Sequence, residues 1–229
     1  MHGQALGYGG ALRKRFGLEE AYTQLNHGSF GVCPPDVNNT RKALLDHVET
    51  NPDAWIGHHG PEKSYRPLMH EAKELIAKEL HIPSVNDIVL VENASSGINA
   101  VMRSFPWRAG DKVLYLNCAY GMVQNVLRYL AKTHGVELVV VEMESTGFAS
   151  PEAVIDAVTE VVKAHGGASA FRAAVISHIT SVPAVILPVR EFCDLLGPEV
   201  PVVCDGAHAL GQLDVDVPAL GCAACESYV

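Results

Sequence analysis

The 229-residue sequence has no long apolar run, no long basic run and no glycine-rich dinucleotide fingerprint. Its apolar stretches fall short of the roughly 18 residues that cross a bilayer, which argues against a membrane partner. The net charge is −9, and the densest basic cluster is residues 13–15, so nucleic acid is an unfavourable partner as well. Without the GxGxxG pattern that positions a pyrophosphate, a nicotinamide-dependent enzyme is also disfavoured.

The N-terminus and the cysteines bear on the compartment. Residues 1–17 contain no apolar run before a small-residue cleavage site, so they predict no secretory signal. They are basic and have no acid before Glu19, a composition that an organelle transit peptide shares. Four of the six cysteines lie in or beside apolar stretches, which predicts buried reduced thiols rather than a disulfide framework. We therefore expect the protein in the cytoplasm, with an organelle stroma as the alternative.

Short apolar runs alternate with amphipathic helices from Asp87 onwards. Because the runs are apolar throughout, they predict an α/β fold with a mostly parallel sheet covered by helices on both faces. The preceding region is helical in character, and its clearest helix is residues 66–80. We predict an N-terminal helical segment, residues 1–85, followed by an α/β domain, residues 86–229. The predicted strands are residues 87–91, 112–116, 137–142, 173–179 and 200–205.

Polar residues follow several of these strands, at the edge where open α/β sheets bind ligands. Ser95 and Ser96 stand at the start of a predicted helix, where hydroxyls and free backbone N–H groups can bind a phosphate. The alternative is that one of them simply caps that helix. Asp205 ends the last predicted strand and is followed by Gly206. Its carboxylate can hold the protonated nitrogen of a pyridine cofactor, or else it forms a turn.

Three further residues at strand ends are weaker candidates. Tyr120 can stack on a planar cofactor or pack on the helix that follows it. His208 can hydrogen-bond an oxygen on a cofactor ring, whereas His178 is typical of a hydrogen-bonded structural residue.

Cys222 and Cys225 form a CxxC pair, but a structural zinc needs four ligands and no second pair is present. We therefore predict no metal site.

Taken in order, five stretches resemble the class V aminotransferases, enzymes that use pyridoxal 5′-phosphate (PLP). The branch most resembled holds isopenicillin N epimerase-like, cysteine desulfhydrase-like and sulfoxide lyase-like proteins. The resemblance implies the large domain of the PLP-dependent transferase fold, an amino-acid substrate and a homodimer. C–S bond cleavage is the preferred reaction, with epimerase or aminotransferase activity second. The stretches are LNHGSFG (25–31), ENASSGINAVMRSF (92–105), YGMVQ (120–124), SHITS (177–181) and DGAHALGQLDVD (205–216).

The resemblance also implies a role for each residue of the cofactor site. Ser95 and Ser96 would hold the PLP phosphate, and Tyr120 would stack on the ring, where many relatives have His. Asp205 would pair with the pyridine nitrogen. His208 would lie near the ring hydroxyl, where many relatives have Gln.

Residues around that site receive roles in the same way. Asn26 and His27 would face the substrate, which makes their loop in the N-terminal segment an active-site loop. His178 and Thr180 would stand behind the residues that touch the cofactor.

One departure from the family pattern concerns lysine. In the family, the lysine that forms a Schiff base with PLP lies beyond the aspartate, usually in a His-Lys pair. Here 24 residues follow Asp205 and none is Lys, the last being Lys163. We therefore expect a truncated chain that has neither this catalytic lysine nor the C-terminal small domain with its carboxylate-binding arginine, and that is inactive alone. The alternative is a catalytically silent remnant with only a binding role.

Overall fold

The computed structural model describes residues 9–57, 64–144, 148, 150–221 and 227–228. Two compact units divide the chain, Met1–Glu74 and Leu75–Val229. Each unit is described by itself. The sheet lies wholly in the second unit, and its first strand begins well beyond the predicted domain boundary at residue 85.

The first unit is helical. None of its four complete helices contains a buried residue, and Leu25 and Phe30 are among its exposed apolar side chains. A proline at the first position starts each of the third and fourth helices, where a missing N–H costs nothing. The helices are α1 (Gly10–Arg13), α2 (His27–Phe30), α3 (Pro35–Thr50) and α4 (Pro52–Ile56), and α5 (Tyr65–Glu79) begins in this unit and ends in the next.

The second unit contains a five-stranded parallel sheet, which confirms the predicted fold class. Its strand order is β2-β1-β3-β4-β5, and every neighbouring pair is parallel. Strand β2 lies on one side of β1, and β3 and the later strands lie on its other side. The direction in which strands are added therefore reverses between β1 and β3. The strands are β1 (Lys112–Leu116), β2 (Glu137–Val141), β3 (Phe171–Ser177), β4 (Val202–Asp205) and β5 (Ser227–Tyr228).

Four helices of the second unit cover the sheet, and local signals set their ends. Gly135 ends one of them in the left-handed conformation, with φ of 70°, which glycine adopts at little cost. Pro151 starts another, whose N-cap Ser150 accepts a hydrogen bond from the Ala153 N–H at 3.3 Å. These helices are α6 (Ala94–Ser104), α7 (Gly121–His134), α8 (Pro151–Ala164) and α9 (Val189–Leu196).

Alternate side chains of each strand enter two separate cores. On one face, Val113, Val175 and Val203 pack with α6 and α7. On the other face, the intervening Leu114 and Ile176 pack with α8 and α9. Helices on both faces explain why the strands are apolar throughout rather than alternating.

The predicted strand at residues 87–91 is wrong. Residues Val85–Asp87 form a 3-10 helix, and Ile88 to Val91 belong to none of the described strands. Val89 is 80% exposed. Apolar β-branched residues favour an extended backbone, but a strand also needs a neighbour for its N–H and C=O groups, and no described strand pairs with this segment.

The cysteine prediction is correct in part. Cys204 is buried and Cys118 half-buried, and neither is in a disulfide, whereas Cys33 is outside any disulfide but exposed. Cys193 is disulfide-bonded, so the expectation of a reduced thiol is wrong there. Its apolar surroundings correctly predicted burial, but burial does not decide whether a thiol is paired.

Among the helices of the described residues, none has both the length and the apolar character needed to cross a membrane.

Candidate cofactor site

The first turns of α6 and α7 lie at the carboxyl edge of the sheet. Helix α7 begins at Gly121, shortly after the carboxyl end of β1, so its first turn lies at that edge. For α6 it follows from the short connection to Lys112 at the amino end of β1, in which Trp107 donates a hydrogen bond to the carbonyl of Met102. The last turn of α6 is therefore at the amino edge. Since α6 packs on the sheet beside α7, its first turn points to the opposite edge.

Asn93, and neither serine, caps α6. The Asn93 side chain accepts a hydrogen bond from the Ser96 N–H at 2.9 Å, and its carbonyl accepts one from the Gly97 N–H at 3.1 Å. The capping alternative for Ser95 and Ser96 is therefore wrong. Both are half-buried, and neither hydroxyl has a hydrogen-bond partner among the described residues. Two free hydroxyls at a helix N-terminus form a donor set suited to a phosphate.

Asp205 is the last residue of β4, and its side chain is only 7% exposed. Because side chains alternate, it lies on the same face as Val203, which α6 and α7 cover. Oδ1 accepts a hydrogen bond from the Ala207 N–H at 3.1 Å. Oδ2 has no hydrogen-bond partner among the described residues. Burial raises the pKa of the carboxyl group, and the Ala207 N–H and the charge of His208 oppose this shift.

The residues next to Asp205 hold it by backbone contacts. Its carbonyl accepts a hydrogen bond from the His178 N–H at 2.8 Å, and in the parallel ladder it lies opposite Ser177. Residues 207–209 form a turn, with the Ala209 N–H bonded to the Gly206 carbonyl at 2.8 Å. The alternative prediction of a turn after Asp205 is correct. A turn does not exclude a cofactor role, because Oδ2 takes no part in it.

Tyr120 occupies the N-cap position of α7, and its side chain is 45% exposed. Its carbonyl accepts a hydrogen bond from the Gln124 N–H at 3.1 Å, but its ring contacts no aromatic ring among the described residues. The ring is thus available to stack on a planar group. It belongs to the edge where α6 also begins, next to the reversal in strand order, which is where open α/β sheets bind ligands.

His178 and Thr180 follow β3 and are almost fully buried. The carbonyl of His178 accepts a hydrogen bond from the Leu187 N–H at 2.9 Å, and burial lowers the pKa of its ring. The Thr180 hydroxyl donates to the Pro183 carbonyl and accepts from the Val185 N–H at 3.1 Å. That hydroxyl therefore stabilises its own loop.

The substrate candidates lie in the first unit. Asn26 caps α2 by accepting a hydrogen bond from the Ser29 N–H at 3.0 Å. The ring of His27 lies 5.7 Å from that of Phe16, between centroids. Both residues are exposed, and their role toward a substrate stays a prediction.

Metal ligands do not cluster in the described part of the chain. No three His, Cys, Asp or Glu side chains there are placed to hold an ion. Cys222 and Cys225 lie outside the described residues, so the prediction that they bind no zinc stays a prediction.

Asp205 and the two serines match the charges of PLP at its two ends. The phosphate needs donors, which the first turn of α6 provides. A protonated pyridine nitrogen needs an acceptor with negative charge, and the half-satisfied, buried carboxylate of Asp205 supplies one.

The profile of the aminotransferase class-V family matches residues 32–227. The chain belongs to the aminotransferase class-V family. This confirms the resemblance seen in the five stretches, and it indicates PLP as the cofactor.

Two curated relatives show the branch. "Putative L-cysteine desulfhydrase 1" of Oryza sativa subsp. japonica is 30% identical over 92% of this chain and 45% of its own length. Isopenicillin N epimerase of Streptomyces clavuligerus is 26% identical over 92% of this chain and 50% of its own length. The chain therefore spans about half the length of the curated relatives that it matches.

A solved structure supports the fold. A mutant of C-DES with glycine covalently linked to its PLP cofactor superposes with a TM-score of 0.71 at 19% identity, covering 91% of this chain and 52% of that chain. At this identity the likeness shows the fold alone, and it agrees with the α/β large domain described above.

Proposed function

We propose that this chain is the cofactor-binding part of a PLP-dependent enzyme that cleaves a C–S bond in a cysteine-like amino acid. The observation that carries the proposal is the buried carboxylate of Asp205, which keeps one oxygen without a partner among the described residues. It lies on the sheet face whose helices begin at the serines and at Tyr120. The family assignment is consistent with this reading.

Each site residue contacts a different part of PLP in this proposal. Ser95 and Ser96 bind the phosphate, and Tyr120 covers one side of the ring. Asp205 keeps the ring nitrogen protonated, and His208 lies near the ring hydroxyl. When bound, PLP accepts the electrons released as a bond at the α-carbon of an amino acid breaks. A protonated ring nitrogen strengthens this electron sink, which is why the charge of Asp205 matters.

The choice of reaction rests on the relatives. The desulfhydrase relative is more similar to this chain than the epimerase relative, 30% against 26% identical. We therefore place C–S cleavage first and epimerisation second. An amino-acid substrate, a homodimeric assembly, a cytoplasmic location and the substrate-facing role of Asn26 and His27 belong to the same proposal. So does the division at residue 85 between an active-site segment and a PLP-binding domain.

A catalytically silent chain that binds PLP is the second candidate, and the positions of the lysines favour it. Lys112 begins β1, and Lys132 and Lys163 lie in the last turns of α7 and α8. Helices that start at the carboxyl edge of a sheet end near its amino edge. These three lysines are therefore far from Asp205, and none is placed to bond to PLP there.

Comparing PLP with pyridoxal, which lacks the phosphate, tests the site. We expect the 229-residue chain to bind PLP more tightly than pyridoxal, and Ser95→Ala/Ser96→Ala to remove the preference. Each lost hydrogen bond to a charged group contributes about 1.5 kcal/mol or more, so PLP affinity should fall about a hundredfold. Equilibrium dialysis measures both ligands.

Ser104→Ala is the matched control, since Ser104 ends the same helix and bonds only to the Val101 carbonyl at 2.7 Å. It should leave both affinities unchanged. Equal binding of PLP and pyridoxal by the wild-type chain would contradict the assignment of the phosphate site. Sulfide release from L-cysteine by the PLP-loaded chain would favour the enzyme over the silent chain, and binding without any turnover would favour the silent chain.

A further inference from the structure

The loop between β1 and α7, residues 117–120, is held by an amide side chain at each end. Asn117 opens the loop and Gln124 lies in the first turn and a half of α7. Both side chains are half-buried. Between them they make six hydrogen bonds to the backbone or to charged side chains around the loop.

Asn117 ties the carboxyl end of β1 to the residues that follow β2. Its Oδ1 accepts a hydrogen bond from the Met143 N–H at 3.1 Å. Its Nδ2 donates to Glu142 Oε2 at 2.7 Å and to the Met143 carbonyl at 3.2 Å. The Asn117 backbone N–H also donates to the Val141 carbonyl at 3.1 Å. The start of the loop is thereby fixed relative to the sheet.

Gln124 ties the same loop to α7. Its Nε2 donates to the carbonyls of Asn117 at 3.0 Å and of Ala119 at 2.8 Å. Its Oε1 accepts a hydrogen bond from Arg128 Nη2 at 2.8 Å. The chemistry of these partners sets the amide orientation, because carbonyls need a donor and a guanidinium needs an acceptor.

Tyr120 follows this loop directly, yet its own side chain is poorly anchored. The ring is nearly half exposed, and its hydroxyl has no hydrogen-bond partner among the described residues. The position of the ring is therefore set by its backbone, and the backbone is set by Asn117 and Gln124.

We propose that Asn117 and Gln124 are positioning residues that hold Tyr120 where its ring stacks on the PLP ring. The proposal rests on the proposed function, because it needs PLP to bind at this edge. It adds two residues that touch neither cofactor nor substrate and act through Tyr120 alone.

Gln124→Glu is the variant that tests the two donated hydrogen bonds most specifically. It keeps the shape of the side chain and its acceptor for Arg128, but it places an oxygen against two carbonyls that need a donor. Gln124→Met removes the donor without adding a charge, so it separates loss of the hydrogen bonds from repulsion. Asn125→Ala is the control, because Asn125 is exposed at the next position of α7, shares Arg128 with Gln124 and makes no hydrogen bond to the loop among the described residues.

A double-mutant cycle on PLP affinity separates positioning from general destabilisation. The dissociation constant for PLP is measured by dialysis in Gln124→Glu, Tyr120→Ala and the double variant, with melting temperatures alongside. We expect Gln124→Glu and Gln124→Met each to weaken PLP binding about tenfold, within the coupling range of contacting residues. In the Tyr120→Ala background the same changes should have an effect of about twofold or less. Asn125→Ala should leave the affinity unchanged.

Equal fold-losses in both backgrounds would overturn the inference, because the amide would then act independently of Tyr120. So would a loss that follows the melting temperature and is shared by Asn125→Ala. Those results leave the proposed function intact, since the wild-type chain still binds PLP. A wild-type chain that does not bind PLP overturns the proposed function and this inference together.

Discussion

The two edges of the sheet differ in how their polar groups are satisfied. At the amino edge, Glu137 lies 3.9 Å from both Lys112 Nζ and His165 Nδ1. These groups are partly exposed, Lys112 and Glu137 are of opposite charge, and the His165 ring lies beside the same carboxylate. At the carboxyl edge, Asp205 is buried with one oxygen free of partners among the described residues, and the hydroxyls of Ser95 and Ser96 are likewise unengaged.

The polar groups of the two edges therefore differ in what they cost the folded chain in stability. An exposed ion pair contributes little and costs little. Burial raises the pKa of the Asp205 carboxyl group, so its charged form is disfavoured in the folded chain, although no side-chain oxygen of the described residues is both fully buried and unpaired. Such groups cluster at functional sites, because a ligand can supply the missing partner. The carboxyl edge is therefore where we propose the cofactor site, and the amino edge offers a comparison without such groups.

Reductive labelling should give the largest contrast between the edges. When the 229-residue chain is incubated with PLP and reduced with borohydride, we expect none of Lys112, Lys132 and Lys163 to be labelled stoichiometrically. The reason is that Lys112, Lys132 and Lys163 lie at the amino edge. Peptide mapping by mass spectrometry measures the labelling. Complete labelling of one of these three would break the comparison.

Removing the stacking ring should have a smaller effect. Tyr120→Ala is expected to weaken PLP binding about tenfold, because an aromatic pair contributes roughly 0.5–1.5 kcal/mol beyond its buried area. Tyr129→Ala is the matched control, since Tyr129 is a similarly exposed tyrosine on α7 that packs against Arg103. Dialysis with PLP distinguishes them. Equal losses in both variants would remove Tyr120 from the site.

Asp205→Asn should modestly raise the free energy of unfolding of the cofactor-free chain, because it removes a charge that burial disfavours. The folded pKa lies above 3.8, so the folded state binds the proton more strongly than the unfolded state does. Folding stability therefore falls as pH rises from 3.8 through the folded pKa. The variant should be more stable than wild type at neutral pH, and the difference should vanish as pH falls to 3.8.

Urea unfolding at several pH values measures that difference. Asp156→Asn, which changes an exposed acid on α8, is the control and should leave the pH profile unchanged. An Asp205→Asn chain that is less stable than wild type at neutral pH would mean that the carboxylate stabilises the fold.

His178 should contribute the smallest effect, with the opposite dependence on pH. Burial lowers its folded pKa below 6.5, so the unfolded state binds a proton first as pH falls. Stability should decline below pH 6.5, and His178→Gln should flatten that slope. The exposed His70→Gln serves as control. An unchanged slope in His178→Gln would show that the ring does not stay neutral in the folded chain.

Helices α5 to α9 and four of the strands could be predicted because their signals are local. Gly135 and Pro151 mark helix ends by their own backbone preferences, and β1 coincides with the predicted run at residues 112–116. Asp205 could be singled out as a candidate because it ends a buried strand. These signals need no knowledge of distant contacts.

The remaining features depend on contacts that the sequence does not display. Residues 87–91 have the composition of a strand but no neighbouring strand to pair with. Asn93 takes the cap that adjacent serines could equally have taken. The contacts of Asn117 with Glu142 and Met143 join residues that are far apart in the chain, so neither spacing nor composition reveals them.

The protonation state of the PLP ring nitrogen reports the role proposed for Asp205. PLP labelled with nitrogen-15 is bound to the wild-type chain and to Asp205→Asn, and the nitrogen shift is followed by NMR against pH. An opposite charge within a few ångströms moves a pKa by roughly one to three units. We predict a ring nitrogen that stays protonated at neutral pH in wild type and loses its proton in Asp205→Asn. The same protonation profile in both chains would contradict the account.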